Sequence, residues 1–501
     1  MNRMKNNSIY KKIACALVLA NIITMLGVTG CDTNEDPVNT GATGTPESTE
    51  APFTSTDELF GAGDKDYFIP FQNPETSYCS ISDGLAVPVR QQGMGGCYCY
   101  SAVSSMQVKY LKEHGELPDL NPNDIIYRIY GVTETSEDGV PQYPEEKFYI
   151  SSGLETDLGG DVMMVTGALC ADPLNGYVIK EANIYGSYNT DDADFDKVTE
   201  EDIKNAVREN GGVCMCVNYK KDCKYINGYY TQNHPENCED SDHVALVVGW
   251  DDDFPADCFA TPASRNGAWL VQNSFGVFWG NCGYYWVSYD MPVPNLYDCS
   301  VTNEYSSAIS FGRNVYGQVY STDIIEKVLN GADPTALTLE EVHASNDVVT
   351  ASVYDHKGAV GAIGFWTTVP GQPYTIEIRQ GEFGKVLASQ SGTFEYTGYH
   401  TVEFENPVSV KKFTVVVKTA GSAFFEGSAT DDFSARTIFQ RVPGHYEAKC
   451  QPGRSFIQIG EDWVDVTDPE LMSRLGLDKL PPELREEVAM PGDPCITVLF
   501  K

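Results

Sequence analysis

Two glycines stand immediately before a cysteine in the stretch Arg90-Gln91-Gln92-Gly93-Met94-Gly95-Gly96-Cys97-Tyr98-Cys99-Tyr100-Ser101-Ala102-Val103. Apolar residues after Cys97 recur at helical spacing, so the thiol is expected to open a helix over 97–113. A helix N-terminus carries partial positive charge, which favours thiolate, the nucleophilic form, over thiol. A backbone N–H at that end can face a developing oxyanion, and Gln91 or Gln92 offers a side-chain amide just upstream. One short segment therefore holds a nucleophile, its activation and its oxyanion donors.

A nucleophile of this kind needs a base, and the base needs a group to orient it. His243 stands at the mouth of the apolar run Val244-Ala245-Leu246-Val247-Val248. Asn273 ends the run Trp269-Leu270-Val271-Gln272, where its amide can hold an imidazole through a ring nitrogen. The elements that must position these groups are legible. Helices are expected over 97–113 and 201–210, the second stopped by Gly211-Gly212. Strands are expected over 213–219, 244–250, 269–272 and 284–289. Helix first and antiparallel strands later predicts an α+β fold.

The three blocks resemble the active-site segments of papain-like cysteine peptidases. The similarity covers about residues 78–290. It runs through Gln92-Gly93 to Ser101-Ala102-Val103, then Asp242-His243, then Gln272-Asn273-Ser274-Phe275-Gly276 with Trp279-Gly280 and Gly283-Tyr284. Cys97 and His243 are 146 residues apart, within the roughly 130–150 typical of such chains. The resemblance implies that Cys97 is the nucleophile, His243 the general base and Asn273 its orienter. It leaves the oxyanion glutamine open between Gln91 and Gln92, because the loop is one residue short. Gly159-Gly160 corresponds to the backbone strip that pairs with an extended substrate. No metal and no organic cofactor is implied.

The sequence also departs from the pattern. Tyr98 and Phe275 stand where the family has Trp, and Met94 stands near a usual disulfide cysteine. No long helical propeptide precedes the catalytic block, which implies control of activity by another route.

The 501 residues suggest several units at about 150 residues each. Apolar residues make up 42% and aromatics 11%, which excludes a disordered chain. The net charge of −37 repels phosphate backbones and argues against nucleic acid as a partner. Residues 1–30 read as a signal peptide, with Arg3, Lys5, Lys11 and Lys12 ahead of an apolar run. Val28-Thr29-Gly30-Cys31 resembles a bacterial lipobox, which makes Cys31 the expected lipidation site. The body is then extracytoplasmic and anchored to the cell membrane through its lipid. Residues 31–66 form a linker, whose stretch 32–58 has seven acids and no base.

Domains are expected at 67–300, papain-like with a helical lobe and an antiparallel β lobe, and at 301–501, an all-β sandwich. Strands of the second are expected over 348–354, 362–367, 374–379, 401–404 and 413–418, with helical insertions at 335–344 and 470–475. Tyr399-His400-Thr401-Val402-Glu403-Phe404 and Pro452-Gly453-Arg454-Ser455-Phe456 are similar to the lectin-like sandwich that follows some exported papain-like peptidases. That name leaves a carbohydrate or surface ligand open and does not establish one.

Of 15 cysteines, twelve remain after Cys15, Cys31 and Cys97, and an even dozen in an exported chain predicts disulfides. Cys450 and Cys495 are expected to pair. Asp251-Asp252-Asp253 is expected to be a solvated turn. The chemistry points to an endopeptidase acting on protein or peptide through an acyl-enzyme. Two alternatives are an inactive surface adhesin on the same scaffold and a cell-wall amidase or transpeptidase.

Overall fold

The computed structural model describes residues 73–92, 95–130, 134–135, 141–142, 160–170, 172–189, 197–219, 223–235, 241–312, 317–320, 346–426, 450–475, 478 and 492–501. The expected signal peptide, Cys31, the linker, Gly159 and the helical insertion at 335–344 lie outside them.

The helix Cys97–His114 is the axis of the first half. Gly95 (φ +66°) turns the chain into it, and Gly115 (φ +75°) ends it in the left-handed conformation that glycine adopts without steric cost. The spacing predicted one apolar face, but every residue from Cys97 to Val108 is buried. The reason is its surroundings. The helices Pro122–Tyr130 and Val162–Cys170 and the strands His243–Asp251 and Val293–Thr302 all pack against it. The helix Val162–Cys170 is buried at each of its positions, and such a segment lacks the polar side that periodicity needs.

Antiparallel strands form the other lobe. Val213–Val217 pairs with His243–Asp251, which pairs with Ala268–Gln272, which pairs with Tyr284–Ser288. The first of these strands ends two residues before the expected Tyr219. There the Tyr219 amide donates to the Asp242 carboxylate instead of to a neighbouring strand. The helix Glu200–Asn210 is opened by Thr199 and Asp202 in a capping box and packs on this sheet.

In the second half, four expected short strands merge into two long ones. Val348–Thr367 and Thr397–Thr419 pair antiparallel along almost their whole length, with irregularities after Asp355 and Val360. Bulges of this kind bend a strand without ending it, so the polar interruptions between the predicted pieces are kinks, not turns. Tyr374–Gln380 and Val386–Gly392 extend the sheet on one side. Thr497–Phe500 pairs with both Ser307–Ser310 and the second half of the first long strand. Phe365, Phe413, Ile376 and Val498 share the enclosed core.

The two halves are joined by hydrogen-bonded strands. Thr397–His400 pairs antiparallel with Ile184–Glu181 of Val178–Tyr188. Gly398 (φ +142°) sits so close that a Cβ there would lie 1.9 Å from the Ala182 carbonyl oxygen. His400, 1% exposed, stacks on Phe394 and lies 3.3 Å from Glu181 Oε1.

One expectation is corrected. Cys79, Cys97, Cys99, Cys170, Cys214, Cys216, Cys258, Cys299 and Cys450 carry free thiols, so Cys450 is not bonded to Cys495. Most are deeply buried and pack as small apolar groups. The expected acidic turn is present, with Asp253 exposed and only Asp251 buried, and all three carboxylates accept hydrogen bonds. Asp251 Oδ1 accepts the Asp253 amide, Asp252 accepts from Lys204 and Tyr289, and Asp253 accepts from Thr76.

Candidate active site

Cys97 is the first residue of its helix, where the early N–H groups have no intrahelical acceptor. One turn on, Ser101 Oγ donates to the Val244 carbonyl at 2.9 Å. This bond clamps the start of the helix against the start of the strand that begins at His243. Cys97 and His243 are thus presented by two packed elements, each at its first residue. Both are buried, at 1% and 0% exposure.

Asn273 follows the neighbouring strand, and its amide N–H donates to the Gly283 carbonyl at 2.8 Å. Its Oδ1 lies 2.8 Å from His243 Nε2 and accepts the Ser274 amide at 2.7 Å. Its Nδ2 is buried with no partner among the described residues. Aromatic rings enclose the imidazole: Phe275 at 5.0 Å and Tyr219 at 5.2 Å between centroids. Trp279 packs edge-on to Phe275. Such a shell excludes water from the His243–Asn273 bond and strengthens it.

The chain before Cys97 is stitched to the Asn273 segment. Gln92 N donates to the Ser274 carbonyl at 2.7 Å, and Gly276 N to the Arg90 carbonyl at 3.1 Å. Ser274 Oγ donates to Gln92 Oε1. That bond occupies the amide oxygen of Gln92 and turns its NH2 group away from Ser274. Gln91 instead forms a backbone bridge with Phe275, and its side chain is exposed beside Gly276.

Gly160 packs on the ring of Tyr98, where a Cβ would come within 2.5 Å. Only glycine lets this strip approach the first turn of the helix so closely. Next to it, burial pushes the Asp161 carboxyl up to about 7, although Met163 N and Tyr297 OH both donate to it. Sequence reasoning missed Ser274 and Tyr219. Ser274 lay within the matched third block, but its hydroxyl contact with Gln92 depends on a loop 182 residues away.

Residues 78–309 match the papain family of cysteine proteases, and residues 331–473 match a lectin-like domain. The chain therefore carries a papain-like α+β domain followed by an all-β lectin-like domain. Among curated relatives, the oryzain gamma chain of Oryza sativa subsp. japonica is 25% identical over 213 residues, 40% of this chain and 52% of the relative. Cysteine proteinase 5 of Dictyostelium discoideum is 26% identical over 217 residues, 40% of this chain and 59% of the relative. The chain spans just over half the length of these relatives. Among solved structures, the cysteine protease and lectin-like domains of Cwp84, a surface layer associated protein of Clostridium difficile, share the fold. The TM-score is 0.55 at 19% identity, over 85% of this chain and 88% of that one.

Proposed function

We propose that this protein is an extracytoplasmic cysteine endopeptidase. The observation that carries the reading is the 2.8 Å contact between His243 Nε2 and Asn273 Oδ1, on a strand clamped to the helix that Cys97 opens. With Nε2 committed to Asn273, Nδ1 is the ring nitrogen that exchanges a proton with the Cys97 thiol. The thiolate attacks a peptide carbonyl, the imidazolium protonates the leaving amine, and an acyl-enzyme forms. His243 then takes a proton from water, which releases the acid and restores the thiol.

Gln92, not Gln91, is the side-chain donor to the oxyanion, alongside the Cys97 backbone N–H. The Ser274 bond to Gln92 Oε1 supports this choice, because it leaves the NH2 group free to point at substrate. A donor of this kind contributes about 3–4 kcal/mol to the transition state. Gly160, with Gly159, is the strip along which substrate backbone lies.

The domain division is 1–30 signal, 31–66 linker, 67–300 peptidase and 301–501 lectin-like. Cys31 carries the lipid that anchors the chain to the outer side of the membrane. The basic and apolar pattern of residues 1–30 supports this. Substrates are proteins or peptides, and the lectin-like domain supplies a surface for a further ligand.

The test is labelling of the full chain with an epoxide inhibitor of thiol peptidases, followed by peptide mapping. The expected label is on Cys97, lost in His243→Ala. Cys97→Ala abolishes hydrolysis and leaves the unfolding midpoint within a degree or two of the parent. Turnover retained by Cys97→Ala overturns the assignment, and absence of label on reduced, folded protein favours the adhesin alternative.

A further inference from the structure

Five large apolar side chains are exposed among the described residues: Tyr225, Val277, Phe278, Val386 and Leu387. The first three lie on two turns bonded to each other, one of them leading directly out of the Asn273 segment. Phe278 is fully exposed and Tyr225 is 58% exposed.

The turn that carries Phe278 is held in place. Trp279 N donates to the Gly276 carbonyl at 3.2 Å, which makes Val277 and Phe278 the two central residues of a β-turn. Gly276 N donates to the Arg90 carbonyl at 3.1 Å, and Gly283 N to the Trp279 carbonyl at 2.6 Å. The Trp279 ring is wedged among Phe275, Tyr230 and Tyr285, at 5.4, 4.8 and 5.2 Å between centroids. The apex therefore offers an aromatic side chain on a backbone already ordered, so contact with it costs little loop entropy.

The same rings lead back to the imidazole. Phe275 lies 5.0 Å from His243, Trp279 meets Phe275, and Tyr230 meets Trp279. Tyr225 stands directly opposite Tyr230 in the antiparallel pairing of Lys224–Ile226 with Tyr229–Gln232, so the two side chains share one face. This hairpin is bonded to the Phe278 loop. Tyr230 N donates to Asn281 Oδ1 at 2.7 Å, and Asn281 Nδ2 to the Gly228 carbonyl at 3.4 Å. An aromatic row thus runs outward from His243, with Tyr225 exposed on the hairpin and Phe278 exposed at the apex of the turn.

The inference drawn from this row rests on the peptidase reading. In that reading the acyl half of the substrate stays with Cys97 along Gly160, which packs on Tyr98. The amine half is protonated by His243 and departs past it, on the side that the rings border. We propose that Phe278 and Tyr225 form an apolar shelf for the leaving half of the substrate, beyond the residue next to the scissile bond, and make the enzyme prefer apolar side chains there. Phe275 and Trp279 are engaged in enclosing the imidazole. The exposed pair has apolar surface still to bury, and burying it against an apolar side chain is favourable.

The experiment uses the full chain and two peptides that differ only at the second residue after the scissile bond, Leu in one and Ser in the other. Their acyl-side sequence is taken from the parent's own cleavage sites in a denatured protein. The readout is the ratio of kcat/KM, Leu over Ser, within one protein, because a merely structural defect lowers both values alike. The parent should prefer Leu by about tenfold, the low end for an apolar contact, and through KM more than kcat. Tyr225→Ser combined with Phe278→Ser should remove the preference, and Phe278→Leu should keep it. An equal preference in the parent and the double variant overturns the shelf. A parent that cleaves an aminocoumarin amide of the same acyl sequence but shows no preference between the peptides loses the shelf and keeps the peptidase reading. A parent that cleaves neither loses both.

Discussion

Ser274 Oγ donates to Gln92 Oε1 across 182 residues of chain, while the Ser274 amide donates to Asn273 Oδ1 at 2.7 Å. One residue therefore touches both Asn273, whose Oδ1 lies 2.8 Å from His243 Nε2, and the loop that precedes Cys97. This residue, with the Gly276 N–H on the Arg90 carbonyl and the Gln91–Phe275 bridge, ties the two ends of the site together.

The relationship separates the two glutamines. Gln92→Ala should lower kcat by about 10²–10³-fold, the loss typical of one oxyanion donor, with KM little changed. Gln91→Ala, whose side chain is exposed, should stay within a few-fold of the parent. Steady-state kinetics on one peptide substrate decide it, and the reverse order would assign the role to Gln91.

Asn273→Ala removes the acceptor 2.8 Å from His243 Nε2. By analogy with the partners that orient metal-bound histidines, activity should fall about 10–100-fold. The same fall is expected in the rate of Cys97 labelling, measured under single-turnover conditions. A labelling rate equal to the parent's would show that the imidazole is held by other groups.

Gly398 tests the junction between the halves. Its φ of +142° and the 1.9 Å approach to the Ala182 carbonyl leave no room for a side chain. Gly398→Ala should cost at least about 1–3 kcal/mol, read as a fall in the urea midpoint. An unchanged midpoint would mean that this strand pairing contributes little to stability.

Stability should also depend on pH through Asp161. Burial raises its carboxyl from 3.8 to about 7 in the native state. The native state then binds more protons than the unfolded one between these values, so the contribution is fully present below about 4 and is lost as pH rises through about 7. Asp251 and Asp493, each raised by burial to about 6, act in the same direction. Asp161→Asn should flatten the decline in unfolding free energy between pH 4 and 7, followed by urea titration. A parallel decline in the variant would place the effect elsewhere.

Local pattern by itself determined the helix that Cys97 opens, the strands of His243 and Asn273, and the order of those three residues, because each depends only on neighbours in the chain. It also marked an α+β half followed by an all-β half. Tertiary structure decided the rest. The predicted strands 348–354 and 362–367 became one, because a bulge and a turn interrupt the apolar pattern alike and only the partner strand distinguishes them. The all-round burial of the Cys97 helix follows from elements packed on several sides, which periodicity does not record. Even cysteine number suggested disulfides, but pairing needs sulfurs brought together in space, and Cys450 remains a thiol. The proposed choice of Gln92 over Gln91 rests on the Ser274 hydroxyl, a contact across 182 residues that no local spacing encodes.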